Sequence, residues 1–197
     1  MFTTPCPLIL ASASPRRQQF LNRLGLIFAV QPALIDETAW PGEAPVQFAQ
    51  RMAMAKVESI ATAHPEACII AADTVVALGT TIFGKPAHQQ EALTILKTLQ
   101  GQTHLVITGL AVVCRQRAIE EATTVTSQVT FDTFSDPVLQ AYIDSGDPMD
   151  KAGAYGIQGQ GAFLVRSITG SWSNVVGLPV NTLVRTLLRL DLLQITN

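Results

Sequence analysis

Six charged residues carry the chemical interest of this chain: the cations Arg16, Arg17, Lys56 and Lys85, and the acids Glu37 and Asp73. Most stand where a strand-like run gives way to a loop. Such a set suits a magnesium–polyphosphate ligand, with cations for phosphate oxygens and acids for the metal and an attacking water. The arginines pose the sharpest question. In ASASPRRQQF, residues 11–20, Ser14 suits a helix N-cap and Pro15 the first helical position. Two arginines then follow at a helix end that carries partial positive charge and favours Asp or Glu. A bound anion removes the conflict, because the helix end and both guanidinium groups then face the same negative charge.

Each of the other residues also has a plainer reading. Asp73, flanked by CIIAA and TVVA, is either paired in a structural salt bridge or placed in a cleft as base or metal ligand. Lys56 in AMAKVES can snorkel to water, and Arg51 reads as a surface charge. Asp36 and Glu37 read locally as a polar loop after an apolar run. GTTIFGK at residues 79–85 has P-loop spacing, but Pro86 replaces the Ser or Thr that would bind magnesium, so a P-loop is rejected. GIQGQG has its glycines in the wrong order for a dinucleotide fingerprint and reads as a flexible turn, in which the Gln158 amide can donate to and accept from a base edge. His64, His88 and His104 show no metal spacing, and His104, opening an apolar strand, reads as structural. No serine lies in a G-x-S-x-G elbow, which argues against serine acyl transfer.

Composition narrows the classes. At 48% apolar residues the chain is globular, not disordered. The net charge of −2 provides no basic field for duplex DNA or an anionic membrane, so no nucleic-acid or membrane partner is expected. Cys6, Cys68 and Cys114 form no C-x-x-C pair and no even framework, which suits reduced thiols in the cytoplasm. No run approaches the roughly 20 apolar residues of a membrane span.

The elements that must position these residues follow from periodicity. Leu8 to Ala11 predicts a buried strand, Pro15 to Leu24 a helix with Gly25 as its cap, and IFAVQPALI a second strand ending at Asp36 and Glu37. Pro45 opens a long amphipathic helix that carries Lys56 and ends before His64 and Pro65. CIIAADTVVAL predicts a buried strand, followed by turns at Gly79 and at IFGKP. A helix over QQEALTILKTLQ precedes a hairpin of HLVITGLAVVC and TTVTSQVTF. PVLQAYIDSG and VNTLVRTLLRL predict helices, with a glycine-rich segment and the strand FLVRSITG between them. The alternation predicts an α/β fold with a mixed sheet, and residues 1–197 are expected to form a single domain.

Taken in order, LILASASPRR, the acid of IDE, the lysine of MAMAKVES, AADTVVALGTTIFGKP, HLVITGLAVV, DKAGAYGIQG and NVVGLP resemble the Maf proteins, nucleoside triphosphate pyrophosphatases, over nearly the whole chain. The resemblance implies an elongated mixed β-sheet flanked by helices, with two lobes around a cleft, as in inosine triphosphate pyrophosphatases. It implies hydrolysis of a nucleoside triphosphate to the monophosphate and pyrophosphate with Mg2+ or Mn2+, a homodimer, and links to nucleotide pool cleansing and division arrest. It matches Ser12, Arg16 and Arg17 to a phosphate-binding loop, with Lys56 and Lys85 as further phosphate contacts. Glu37 and Asp73 become metal ligands, Asp73 also the proton acceptor, and Lys151 falls on a motif position. Arg16, Thr74 and Gln158 match the specificity positions of the branch acting on dTTP and UTP. The alternative is a nucleotide-binding regulator of septum formation that acts without hydrolysis.

Overall fold

Apolar runs and amphipathic stretches become strands and helices close to where the pattern places them. The structure, a computed structural model, describes residues 1–195. In chain order the strands are Phe2–Thr3 (β1), Leu8–Leu10 (β2), Ala29–Val30 (β3), Cys68–Leu78 (β4), Thr81–Phe83 (β5), Thr103–Cys114 (β6), Ile119–Phe131 (β7), Val165–Thr169 (β8) and Gln194–Ile195 (β9). The α-helices are Pro15–Arg23 (α1), Pro45–Ala61 (α2), Gln89–Leu99 (α3), Asp136–Asp144 (α4), Trp172–Val176 (α5) and Val180–Arg189 (α6). The main sheet runs β3-β2-β4-β6-β7-β8, with β5 paired to β4, and β1 pairs separately with β9. Pairing is parallel for β2 with β3 and β4, but antiparallel for β4 with β5 and β7 with β8. The fold is therefore α/β with a mixed sheet flanked by helices, as the alternation predicts. Sheet neighbours β6 and β7 are joined by the short connection Arg115–Ala118, and only a hairpin can close over so few residues.

The chain divides into two compact units. The first comprises Met1–Asp73, Thr108–Val125 and Gly177–Asn197; the second comprises Thr74–Ile107 and Thr126–Val176. In the first, residues of one parity on each strand face α2. Ile69 and Ala71 of β4 and Ala111 and Val113 of β6 share a core with Ala53, Val57 and Ile60 of α2. Gly109, on the same face of β6, lets α2 come in close: a Cβ there would lie 2.0 Å from the Ala49 carbonyl oxygen. The helix that carries Lys56 is thus seated directly on the strand layer.

In the second unit, α3 and α4 bury Leu96, Leu99, Leu139 and Ile143 against Val106 and Val129. His104 lies inside this core, fully buried, with its Nε2 2.9 Å from the Tyr155 hydroxyl. Phe131 and Tyr155 meet its ring edge to face at 4.8 and 5.4 Å. The structural reading of His104 holds.

Several local expectations change. IFAVQPALI yields only the two-residue β3, because Pro32 cannot donate to a ladder and Ile27 and Leu34 lie exposed. The turn after β4 is a two-residue connection, with Gly79 at φ +60°, that leads into the additional strand β5. Phe163 and Leu164 belong to a 3₁₀ turn, Gln160–Leu164, so β8 begins only at Val165. The short helix α5 has no counterpart in the sequence reading.

Burial pushes the His104 imidazole down to about 4, and its Nδ1 has no hydrogen-bond partner among the described residues. A folded-state value below the ordinary 6.5 means that the unfolded chain takes up the proton first. Stability should be full above pH 6.5 and fall by up to about 3 kcal/mol as the pH drops to 4. Denaturant midpoints measured from pH 7 to 4 should decline less steeply for His104→Gln than for the wild type. Equal slopes would show that His104 does not set the acid sensitivity.

Candidate active site

One helix position, one strand position and one loop position bring the central charges together. Along α2, Phe48, Met52, Lys56 and Ile60 recur every fourth residue on the buried face. Lys56 therefore points inward with the apolar side chains, not out to water. On β4, Asp73 shares the parity of Ile69 and Ala71, the face that packs on α2. The two meet: Lys56 Nζ donates to Asp73 Oδ1 at 2.5 Å, and each residue is 8% exposed. Glu37, exposed in the loop after β3, reaches the same ammonium, with Lys56 Nζ to Oε1 at 2.7 Å. Snorkelling is overturned for Lys56. Asp73 is buried and paired in mid-strand, not exposed at a strand end.

The arginine loop lies at the same height. Leu10 is level with Ile70 in the parallel β2–β4 pair, so Asp73, three residues further on, reaches the level of the Ser12–Ser14 turn. Arg17 is half-buried and fixed by two bonds. Its Nε donates to the Gly177 carbonyl at 2.8 Å, and its Nη1 donates to Ser12 Oγ at 3.0 Å. Ser12 Oγ also accepts from Ser14 N at 3.2 Å. Ser14 occupies the N-cap position, but its hydroxyl makes no capping bond. Burial lowers the Arg17 pKa, the field of Asp73 opposes that shift, Arg16 adds to it, and Glu37 opposes it more weakly. Arg17 thus senses both acids and its neighbour, which puts Ser12, Arg17, Lys56, Glu37 and Asp73 in one electrostatic group within the first unit.

Arg16 is half-buried on α1. In the second unit, Thr74 is half-buried immediately after Asp73, Lys85 is exposed in the loop after β5, and Gln158 is exposed at a turn tip. Lys151 is half-buried and held by acids and backbone of its own segment: it donates to the Asp147 carbonyl and to Asp150 Oδ1, the latter at 2.7 Å.

Two supports escaped the sequence reading. One is the Gly177 carbonyl, whose segment NVVGLP carried no signal for contact with a residue 160 positions away. The other is Arg51, which is no simple surface charge. Its Nε and Nη2 grip the two Glu43 carboxylate oxygens, each at 2.6 Å, and Nη2 also donates to the Thr38 carbonyl at 3.0 Å. The guanidinium stacks 4.0 Å from the Trp40 ring centroid, and Glu43 Oε2 accepts from Trp40 N at 3.0 Å. These donations from Arg51 hold the Glu43 carboxyl below its ordinary range. Arg51 thereby straps the loop bearing Glu37 onto α2, one turn before Lys56.

Two carboxylates converging on one cationic nitrogen form a hard-oxygen donor set of the kind Mg2+ or Mn2+ uses when water and phosphate oxygens complete its shell. Among the described residues no group of three or more His, Cys, Asp or Glu side chains forms a larger candidate site.

A sequence profile of the family described as Maf-like protein matches residues 7–190. The chain belongs to the Maf-like family. Curated relatives of this Maf-like chain extend over its full length. A protein of Desulfotalea psychrophila named dTTP/UTP pyrophosphatase is 46% identical, covering 99% of this chain and 100% of its own. Proteins of Oleidesulfovibrio alaskensis and Myxococcus xanthus with the same name are 49% and 48% identical, covering 95% and 94% of this chain and 87% and 93% of their own. Among the described residues no helix is long and apolar enough to cross a membrane.

If Arg51 is the strap of this Maf-like site, Arg51→Ala should speed hydrogen exchange of the amides in residues 36–43 while leaving β4 protected. Arg51→Lys should restore little, because an ammonium cannot reproduce the two-pronged grip or the stacking on Trp40. Unchanged exchange in Arg51→Ala would remove Arg51 from the support of Glu37.

Proposed function

We propose that this chain is a dTTP/UTP pyrophosphatase. It hydrolyses the bond between the α and β phosphates of a pyrimidine nucleoside triphosphate, giving the monophosphate and pyrophosphate. One observation carries the reading on the structural side: a buried acid, Asp73, is aimed by a buried lysine within reach of the field of a fixed arginine. That arrangement is costly for a mere fold element and useful for a reaction on a polyanion. The names and full-length similarity of the relatives support the substrate class.

The roles follow from chemistry. Ser12, Arg16 and Arg17 grip phosphate oxygens, a task suited to the forked donors of guanidinium. Lys56 and Lys85 neutralise charge that develops on the pyrophosphate leaving group. Asp73 takes the proton of the attacking water. Glu37 and Asp73 would hold a divalent cation, Mg2+ or Mn2+, whose chemistry is to neutralise phosphate charge and activate water. Arg16, Thr74 and Gln158 select the base, with the Gln158 amide pairing to a pyrimidine edge as both donor and acceptor.

The assay is direct. With Mg2+ or Mn2+ and a nucleotide panel, the purified protein should convert dTTP and UTP to TMP and UMP plus pyrophosphate. Asp73→Asn should cut kcat by about 100-fold or more while nucleotide binding persists. Near-wild-type turnover in Asp73→Asn would refute its role as base, and orthophosphate plus a diphosphate would mean that a different bond is cut.

We infer further that the protein works in the cytoplasm as a homodimer. Cys6, Cys68 and Cys114 are free thiols, which suits a reducing compartment, and exposed Ile27, Leu34 and Trp40 offer apolar surface to a second copy. Light scattering at micromolar concentration should return twice the chain mass. A monomer mass would overturn the dimer.

A further inference from the structure

The segment that carries Gln158 is mounted unusually tightly. Gly156, Gly159 and Gly161 surround it, yet none of the three has a positive φ. Their glycine identity therefore answers a demand for space, not for left-handed backbone. A Cβ on Gly156 would lie 2.6 Å from the Cε of Lys151. One on Gly159 would lie 2.7 Å from Asp147 Oδ1, and one on Gly161 would lie 2.4 Å from the Tyr142 hydroxyl. Three glycines thus press the turn onto three polar side chains.

Those side chains bond to one another and to the turn. The Tyr142 hydroxyl donates to Asp147 Oδ2 at 2.9 Å and accepts from the Gly156 amide at 3.2 Å, so both its roles are filled. Lys151 Nζ lies 3.3 Å from Asp147 Oδ1, donates to Asp150 Oδ1 at 2.7 Å, and donates to the Asp147 carbonyl. Tyr142 is 4% exposed, and the Asp147 and Lys151 side chains are 20% and 14% exposed. The cluster is therefore shielded from the water that weakens surface ion pairs. Its anchor is deep: Tyr142 lies on α4 and belongs to the same core as Leu139, Ile143 and Tyr155. Gln158 is exposed on this mount, between Gly156 and Gly159.

We propose that Tyr142, Asp147 and Lys151 form a positioning clamp that holds the Gln158 turn rigid, so that the amide meets the pyrimidine edge in one orientation. The clamp does not touch the nucleotide; it acts through Gln158, and in that respect rests on the base-selecting role given to Gln158 above. A preset amide keeps both a donor and an acceptor aligned without an entropy cost at binding. A loosened turn lets the amide rotate, and the edge pattern that separates pyrimidine from purine blurs. Lys151, on this view, serves the turn and not the phosphates.

The test uses the full-length protein with Mg2+ and reads pyrophosphate release from dTTP and dGTP, together with hydrogen exchange. Tyr142→Phe keeps the ring in the core and deletes only the bridging hydroxyl. Its KM for dTTP should rise about tenfold, with kcat within about twofold and a reduced preference for dTTP over dGTP. Amides of residues 156–161 should exchange faster, with those of α6 unchanged. In a Gln158→Ala background, adding Tyr142→Phe should change neither KM nor preference, because the residue it positions is gone. Gly159→Ala should reproduce the KM effect by pushing on Asp147. An unchanged KM in Tyr142→Phe, or an equal loss in the Gln158→Ala background, would overturn the clamp. If the wild type releases no pyrophosphate from any nucleotide, the functional reading fails. The exchange arm then still decides: unchanged exchange at 156–161 in Tyr142→Phe overturns the clamp, and faster exchange there upholds it.

Discussion

The Lys56 ammonium, buried between Asp73 and Glu37, is the constraint on which the first unit depends. Removing charges from water costs several kcal/mol per ion, and mutual attraction often only offsets that cost. An apolar trio of similar volume would serve the fold at least as well. The arrangement imposes conditions on everything around it: α2 must bring Lys56 to the strand layer, which Gly109 permits by admitting the Ala49 backbone. The loop after β3 must be strapped so that Glu37 closes the pair, which Arg51 does through Glu43 and Thr38. The Glu37 arm, with a side chain 53% exposed, is screened by solvent and contributes less than the Asp73 arm.

The same constraint answers the question of the arginines. A helix N-terminus disfavours Arg16 and Arg17 by roughly 0.3–1 kcal/mol each when considered alone. In the folded chain Arg17 is not left to face the dipole: Ser12 and the Gly177 carbonyl take two of its donors, and Asp73 and Glu37 supply opposing charge. For Arg17 these partners oppose the dipole penalty before any anion arrives, although burial and Arg16 still lower its pKa on balance. Part of the conflict is thus met inside the protein, and a bound anion would meet the rest.

What could be read from the sequence, and what could not, divides by range. Element types came through where periodicity was strong: the extent of β4 follows from an apolar run interrupted by one acid, Asp73, and α2 from its four-residue spacing. Lys56 and Asp73 could each be singled out, because a charge in an apolar setting must be explained. Their pairing could not, since it depends on a strand and a helix meeting across 17 residues of chain. Arg51 misled for the same reason, as its partners Trp40 and Thr38 lie in a loop without periodicity. The segment GIQGQG misled differently. Its glycines suggested freedom, but close packing also demands glycine, and only the neighbours Tyr142, Asp147 and Lys151 show which reason applies. β3 fell short because an apolar run signals burial only if a partner covers it, and Ile27 and Leu34 are 91% and 95% exposed.

Charge arithmetic in the first unit bears on how a polyanion is received. Lys56, Arg16 and Arg17 carry three positive charges, Glu37 and Asp73 two negative, so the preformed group keeps only a small positive excess. The whole chain, at −2, adds no attraction at long range. A site so nearly balanced draws in free polyphosphate only weakly by electrostatic steering. On the proposed function a ligand would have to displace or share existing partners: Glu37 and Asp73 would hold a divalent cation, and Lys56, Arg16 and Arg17 would meet phosphate oxygens. A nucleotide that arrives with its own divalent cation satisfies both halves of that exchange at once. A nucleotide without one would leave Glu37 and Asp73 facing its phosphates, with like charges opposed. On the proposed function metal and nucleotide would therefore bind as one ligand, with the buried ion pair as the resting form of the contacts that ligand would make.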